Sequence, residues 1–394
     1  MSAIVCPYCF ARMNSKALQF RCLQSPSGTR SGQPCPAKPD EELTAFLGRT
    51  APMLMGPVFT ADGSHSQAPC PACDVVTTKR VCPECHNDLP GGYDSIGGRI
   101  IALVGPKTSG KSTYVTVLIR ELRERVGEHF GAAVNPMDDR TAERYGKAHA
   151  ELFKEGHLPP MTPPSALDLT YPQLYKVTIP RRGMLGARSL SSALVFFDTA
   201  GEDLESADST ARNVSYLAQA DGIILMVDPL QFTAVRDALS GSVDNMPKPG
   251  TPPDRIVAII GQLIRDHRDL PGNQPISTPL AITLSKTDML RPLLDPGSRL
   301  TAPSGHRGYL DEQDRAETDD EVRALLQDWD SGALRRQAEA DFTQHAYFGM
   351  SALGDAPAGP ADTPAEGIHP LRAEDPVLWL LSRFRLIPVR KGRR

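Results

Sequence analysis

Several things are scarce in this chain. Aromatic residues are 6% of its 394 residues, with only two tryptophans, and formal net charge is −4. No apolar run approaches the ~20 residues a bilayer span requires; the longest, such as 222–227, are strand-sized. The opening MSAIVCPYCF has neither the basic nor the apolar run of a secretory signal, so a cytoplasmic location is expected. Near-neutral charge offers no global attraction to nucleic acid or an acidic membrane. Cysteine is absent after Cys85, although eight occur from Cys6 to Cys85. Forty per cent apolar and 23% charged residues form an ordinary soluble composition, which excludes wholesale disorder and leaves room for two or three domains.

What is present begins with those cysteines. Cys70-Pro71-Ala72-Cys73 is followed eight residues later by Cys82-Pro83-Glu84-Cys85. Each Cys-x-x-Cys can curl as a knuckle aiming two thiolates at one ion, and two such knuckles complete a tetrahedral zinc set, as in a compact zinc ribbon. Upstream, Cys6, Cys9, Cys22 and Cys35 form a looser second set, with twelve residues in each gap after the knuckle. In a reducing compartment such spacing favours metal over disulfides. His65 and His86 are spare candidates beside two complete sets. The expected cofactor here is two Zn²⁺. Residues 1–93 hold eight Lys/Arg and seven Asp/Glu, so two tetrathiolate zinc sites bring the segment to about −3. That charge disfavours nucleic acid and favours a protein partner. Residues 50–69, rich in proline and glycine, read as a flexible connection between the clusters.

The pattern changes near residue 99. Arg99 to Val104 is a short apolar run, followed by Gly105-Pro106-Lys107-Thr108-Ser109-Gly110-Lys111-Ser112-Thr113 and then by helical periodicity from Tyr114 to Val126. Strand, G-x-x-x-x-G-K-[ST] loop and helix stand in the order a phosphate-binding loop requires. Gly105 and Gly110 let the backbone wrap an anion, Lys111 bridges the outer phosphates, and Ser112 offers a hydroxyl to Mg²⁺.

Further apolar strands end in short polar elements. Ser192 to Phe197 leads into Asp198-Thr199-Ala200-Gly201; Pro279 to Leu284 leads into Ser285-Lys286-Thr287-Asp288; Ala346 to Met350 leads into Ser351-Ala352-Leu353. In this order the elements resemble those of the Ras-like, translation-factor-related class of P-loop GTPases. The resemblance implies an α/β fold, a doubly wound and mostly parallel sheet with helices on both faces, beside the small N-terminal double zinc-ribbon module. It implies GTP/GDP and Mg²⁺ as ligands. Asp198 would hold Mg²⁺ through water, and the Gly201 amide would sense the γ-phosphate. Asp288 would accept two hydrogen bonds from guanine while Lys286 lies along its ring, and the 351–353 loop would contact the guanine oxygen. Serine at 285 departs from the usual asparagine and shortens one contact.

Catalysis is specified less fully. The resemblance calls for a switch threonine between the first helix and the strand Gln173 to Ile179; Thr162 in Gly156-His157-Leu158-Pro159-Pro160-Met161-Thr162 is chosen, with Thr170 as alternative. Glu202 occupies the position of a water-orienting glutamine, and its anionic carboxylate implies slow intrinsic hydrolysis. Arg181, Arg182 and Arg188 read as a solvated hairpin turn. Zinc ribbons joined to a GTPase, with the Leu-Pro-Pro-Met-Thr segment and the ending Asp375-Pro376-Val377-Leu378-Trp379-Leu380-Leu381, also resemble the bacterial double-GTPase group.

The expected division is therefore 1–93, a double zinc-binding module, and 94–394, a P-loop GTPase domain with insertions near 128–165 and 289–341. In the first insertion 138–155 reads as a helix; in the second, 321–329 does. Thr251-Pro252-Pro253-Asp254 reads as a helix start capped by the threonine hydroxyl. The basic ending, Arg383 to Arg394, reads as a solvated tail. The function expected is a GTP switch that recruits partner proteins, including another GTPase; the alternatives are a nucleotide-binding scaffold with negligible turnover and a zinc-ribbon ATPase acting on nucleic acid.

Overall fold

The computed structural model describes residues 3–24, 33–106, 109–159, 171–183, 186–198, 211–241, 246, 250–359 and 361–392. They divide into two units, Met1–Gly98 and Arg99–Arg394. The division falls later than residue 93 because Tyr93–Ile96 is a helical turn held by the cysteine-rich unit: Tyr93 Oη donates to the Val5 carbonyl at 2.9 Å, and Asp94 pairs with Arg80.

In the second unit the aliphatic run becomes strand β1 (Gly98–Val104), and the loop after it opens helix α1 (Lys111–Arg123). Then follow β2 (Ala133–Pro136), α2 (Asp139–Phe153), β3 (Gln173–Gly183), β4 (Gly186–Asp198), α3 (Ala211–Gln219), β5 (Gly222–Val227), α4 (Pro253–His267), β6 (Leu280–Leu284), α5 (Glu312–Asp330), α6 (Ala333–Asp341), β7 (His345–Gly349) and α7 (Asp375–Arg383). The sheet order is β2-β3-β4-β1-β5-β6-β7. From β1 to β7 neighbouring strands are parallel, whereas β2, β3 and β4 form an antiparallel meander at the other end.

Strands buried on both faces read as continuous apolar runs, which is why β5 (GIILMV) and β6 (LAITL) stand out. Alternate residues Ile101, Leu103, Ile224 and Met226 share one core with α1, α2 and α7. Their neighbours Ile223 and Leu225 are equally buried and, by the two-residue period, face the opposite side. Tyr216 of α3 reaches between β1 and β4, donating to the Phe197 carbonyl at 2.7 Å and accepting from the Leu103 amide at 2.9 Å.

Several local features differ from the sequence reading. Edge strand β2 has no signature in the sequence; four residues ending in proline gain their structure from pairing with β3. Helix α4 starts on Pro252 and Pro253 without a side-chain cap, so the Thr251 hydroxyl does not cap it. The second insertion holds two helices, α5 and α6, packed into the domain: Val322, Leu326, Leu334 and Ala338 are buried, and Asp319 accepts the Tyr347 amide of β7 at 2.7 Å. The basic ending is partly anchored, since Val389–Arg390 pairs with Leu310–Asp311 and the Arg390 guanidinium lies over the Tyr309 ring at 4.6 Å.

In the first unit, residues 50–69 are structured. Met53–Met55 pairs with Lys38–Asp40, and Val58–Phe59 pairs with Gln19–Arg21. Gly56 sits so close to the Cys22 carbonyl that a Cβ there would lie 2.0 Å from its oxygen, so glycine in this segment serves close packing.

Candidate nucleotide and metal sites

The loop after β1 shows why its glycines are needed. A Cβ on Gly105 would approach the Met226 carbonyl oxygen to 2.6 Å, so β5 could not lie beside a larger residue. Gly110 has φ +84°, a left-handed conformation that turns the chain into α1. The Lys111 ammonium folds over the loop, donating to the Gly105 and Pro106 carbonyls at 2.9 and 3.1 Å. Ser109 is buried, its amide donating to the Pro106 carbonyl, while Ser112 and Thr113 lie half-exposed in the first turn of α1. A cation, a helix N-terminus and glycine-shaped backbone thus converge on one point, as anion binding demands. Lys107 and Thr108 lie outside the described residues, as do Thr162, Thr170, Gly201 and Glu202; Asp198 is described as the last residue of β4.

The elements expected to read the base meet one another. Ser351 Oγ donates to Asp288 Oδ1 at 2.5 Å and accepts the Gly354 amide at 2.7 Å, while the Thr287 amide donates to the Met350 carbonyl. Burial pushes the Asp288 carboxyl above the ordinary aspartate range, against the lowering effect of the Ser351 hydroxyl. The turn after Ser351 is pinned by paired backbone bonds between Ser351 and Leu371 and by the His369 amide on the Leu353 carbonyl; Ala352 lies half-buried between. Ser285 is buried and its hydroxyl donates to the Val227 carbonyl at 3.2 Å, which spends the shorter side chain on strand β5. Lys286 has φ +54° and its ammonium meets Asp228 at 2.7 Å. Asp228 is the residue that sequence reasoning passed over. Its only signal was a carboxylate ending a wholly apolar strand.

The cysteines gather differently from their order in sequence. The tetrads are Cys6, Cys9, Cys82, Cys85 and Cys22, Cys35, Cys70, Cys73. This corrects the pairing of the 70–73 knuckle with the 82–85 knuckle. Each knuckle instead joins an upstream pair, because Gln19–Arg21 lies antiparallel to Arg80–Val81 and carries the early cysteines back beside the late ones. Arg21 welds the crossing, donating to Asp88, Asp40 and the Gly56 and His86 carbonyls. The residue after each Cys-x-x-Cys, namely Phe10, Asp74 and His86, has positive φ, and each knuckle closes by a bond from that residue's amide to the first cysteine's carbonyl.

Donor chemistry and spacing fit zinc. All eight cysteines are free thiols. Their cross-pair Sγ–Sγ distances are 3.8 and 3.7 Å in one tetrad, 3.6 and 3.8 Å in the other. A tetrahedron with Zn–S bonds of ~2.3 Å has edges of about 3.8 Å, whereas a disulfide would bring sulfurs to ~2.05 Å. His65 is exposed beside Asp62, and His86 Nδ1 is hydrogen-bonded to Asp40 at 2.8 Å; neither joins a tetrad.

A third group, His306, Asp314 and Asp375, has metal-ligand side chains but is an ion-pair network. His306 Nδ1 accepts the Asp311 amide at 3.1 Å, which leaves the proton on Nε2, the atom facing Asp375. Buried Arg372 already holds Asp314 at 2.6 Å and Asp375 at 2.8 Å.

With this geometry in place, the sequence comparisons decide the family. The model of the family described as Double-GTPase 2 matches residues 99–354. The chain belongs to the Double-GTPase 2 family. The resemblance to P-loop GTPases and to the double-GTPase group therefore holds, and so does the expected fold class. A curated relative of this double-GTPase chain is the "Putative ESX-1 scaffolding and assembly protein SaeC" of Mycolicibacterium smegmatis, 32% identical over 96% of this chain and 98% of that one. Similar solved structures include the Arl6 small GTPase of Trypanosoma brucei, at 11% identity, 73% of this chain, 96% of that chain and TM-score 0.28. Another is the Ski7 GTPase-like domain of S. cerevisiae, at 15% identity, 73% and 50% coverage and TM-score 0.30. No helix among the described residues is long and apolar enough to cross a membrane.

Proposed function

We propose that this double-GTPase protein binds GTP with Mg²⁺, hydrolyses it slowly, and uses the nucleotide state to control a protein-assembly surface. The observation that carries the reading is the placement of two anchored elements beyond the ends of β1 and β6: a lysine-bearing anion loop, and Asp288 held by Ser351. Open α/β sheets bind ligands at such strand ends. A carboxylate facing the N1 and N2 donors of guanine discriminates against adenine, which presents no such pair of donors.

Within this reading Lys111 neutralises the outer phosphates, Ser112 and Asp198 serve Mg²⁺, and Thr162 and Gly201 sense the γ-phosphate. Glu202 would repel that phosphate, so single-turnover hydrolysis is expected at roughly 10⁻⁴ to 10⁻² per second, the range of unassisted switch GTPases. Turnover at several per second would contradict this assignment. The two tetrathiolate sites hold structural zinc, each closed by four protein ligands with no position left for catalysis.

The relative's description as a scaffolding and assembly protein supports partner proteins as the target, in agreement with the negative charge of the zinc-loaded segment. A scaffold with negligible turnover is the second reading, favoured by Glu202. Equilibrium titration of GTP, GDP and ATP, followed by single-turnover hydrolysis, separates the readings: tight GTP binding with no phosphate release over a day selects the scaffold, and preference for ATP overturns both.

A further inference from the structure

Asp228 is wholly buried, a carboxylate directly after the apolar strand β5. Burying a charge is costly unless it is paired and hydrogen-bonded, and both of its oxygens are committed. Oδ1 accepts the Leu230 amide at 3.0 Å, which fixes the side chain to the turn Pro229–Gln231. Oδ2 meets Lys286 Nζ at 2.7 Å. Lys286 adopts a left-handed backbone, a conformation unfavourable to a non-glycine residue. This unfavourable backbone and the buried carboxylate meet in one contact. Two residues later Asp288 is tied to Ser351 on the other side of the loop. The 285–288 segment is therefore anchored twice, to β5 through Lys286 and to the β7 loop through Asp288.

We infer that Asp228 is a positioning residue for the nucleotide base: it holds the Lys286 ammonium back so that the side chain's hydrocarbon stem lies still beside Asp288 as one wall of the base site. This rests on the guanine-nucleotide reading. Among the described residues the Ser285 hydroxyl bonds to the Val227 carbonyl, so the ion pair supplies order that the short side chain at 285 does not.

The test uses the full chain and fluorescent GDP. Asp228→Asn keeps an acceptor for the Leu230 amide and replaces the charged oxygen facing Lys286 by an uncharged amide NH2. Dissociation of GDP should accelerate about tenfold, ~1.4 kcal/mol. Lys286→Ala should accelerate dissociation at least as much, and the double variant should match Lys286→Ala alone, because Asp228 acts through that lysine. Additive effects in the double variant, or unchanged release from Asp228→Asn, overturn the inference. Failure of the wild-type chain to bind GDP at all overturns instead the guanine reading beneath it.

Discussion

At the scale of single residues, Asp288 combines burial with a task that requires charge. Its carboxyl is raised above the usual aspartate range by burial, and only the ionised form can accept both guanine donors. Guanine-nucleotide affinity should therefore be constant at neutral pH and fall as acid protonates Asp288, over a window lying above the ~3.9 of a free aspartate. A titration series down to pH 5 checks the sign; affinity that rises on acidification would contradict it. Asp288→Asn replaces an acceptor by a donor. GTP binding should weaken about 100-fold or more, from the loss of charge-assisted bonds, while xanthine nucleotides, with a carbonyl in place of the 2-amino group, should bind the variant better than GTP. Competition between the two nucleotides reads this directly. Much of this site was legible as residue types at strand ends. The Lys286–Asp228 pair was not, because 58 positions separate its members and their contact forms only once the strands align.

At the scale of elements, the knuckles carry the clearest test. Each Cys-x-x-Cys was visible as a unit, since its closure is local; which knuckle joins which loose pair depends on strand pairing between Gln19–Arg21 and Arg80–Val81. A double variant of Cys70 and Cys82 to serine strikes both tetrads of the structure but only one tetrad of the sequential arrangement. Metal analysis of the purified protein should therefore give about two zinc per wild-type chain and about none for this variant, whereas Cys6→Ser with Cys85→Ser should retain about one. One zinc retained in the first variant would restore the sequential pairing. The added helices give a second test. Asp319 of α5 accepts the β7 amide of Tyr347 and pairs with Arg315 and Arg323. Asp319→Ala leaves a buried amide unpaired and should lower stability by about 1–3 kcal/mol, measured by denaturant unfolding with nucleotide absent. Only α5's later half was expected as a helix, because its first turns are polar all round and gain their helical state from the Asp311 cap and from packing on β7.

At the scale of the whole molecule, the buried network around Arg372 links stability to pH. Burial raises the Asp375 carboxyl from 3.8 to about 6, partly offset by Arg372; Glu374 is raised too, by burial and by the Asp375 charge. Asp314, His306, Arg125, Tyr114 and Glu121 are among the ionisable neighbours. A raised folded-state value means that the folded chain holds the proton more tightly. The stabilisation is complete below the unfolded value and is lost as pH rises through about 6. Relative to Asp375→Asn, the wild type should gain stability as pH falls from 7.5 to 5, on the order of 1 kcal/mol; parallel unfolding curves for the two proteins would refute the linkage.

The sequence by itself determined the local pieces: an anion loop between strand and helix, three thiolate knuckles, and polar elements closing apolar strands. These follow from backbone geometry and short-range periodicity, which act within about ten residues. Tertiary structure alone decided the partners: early cysteines with late ones, edge strand β2 with β3, the second insertion against β7, and Asp228 beneath Lys286. Those choices depend on register between distant strands, where burying a charge or a sulfur is tolerable only once its counterpart has been brought alongside.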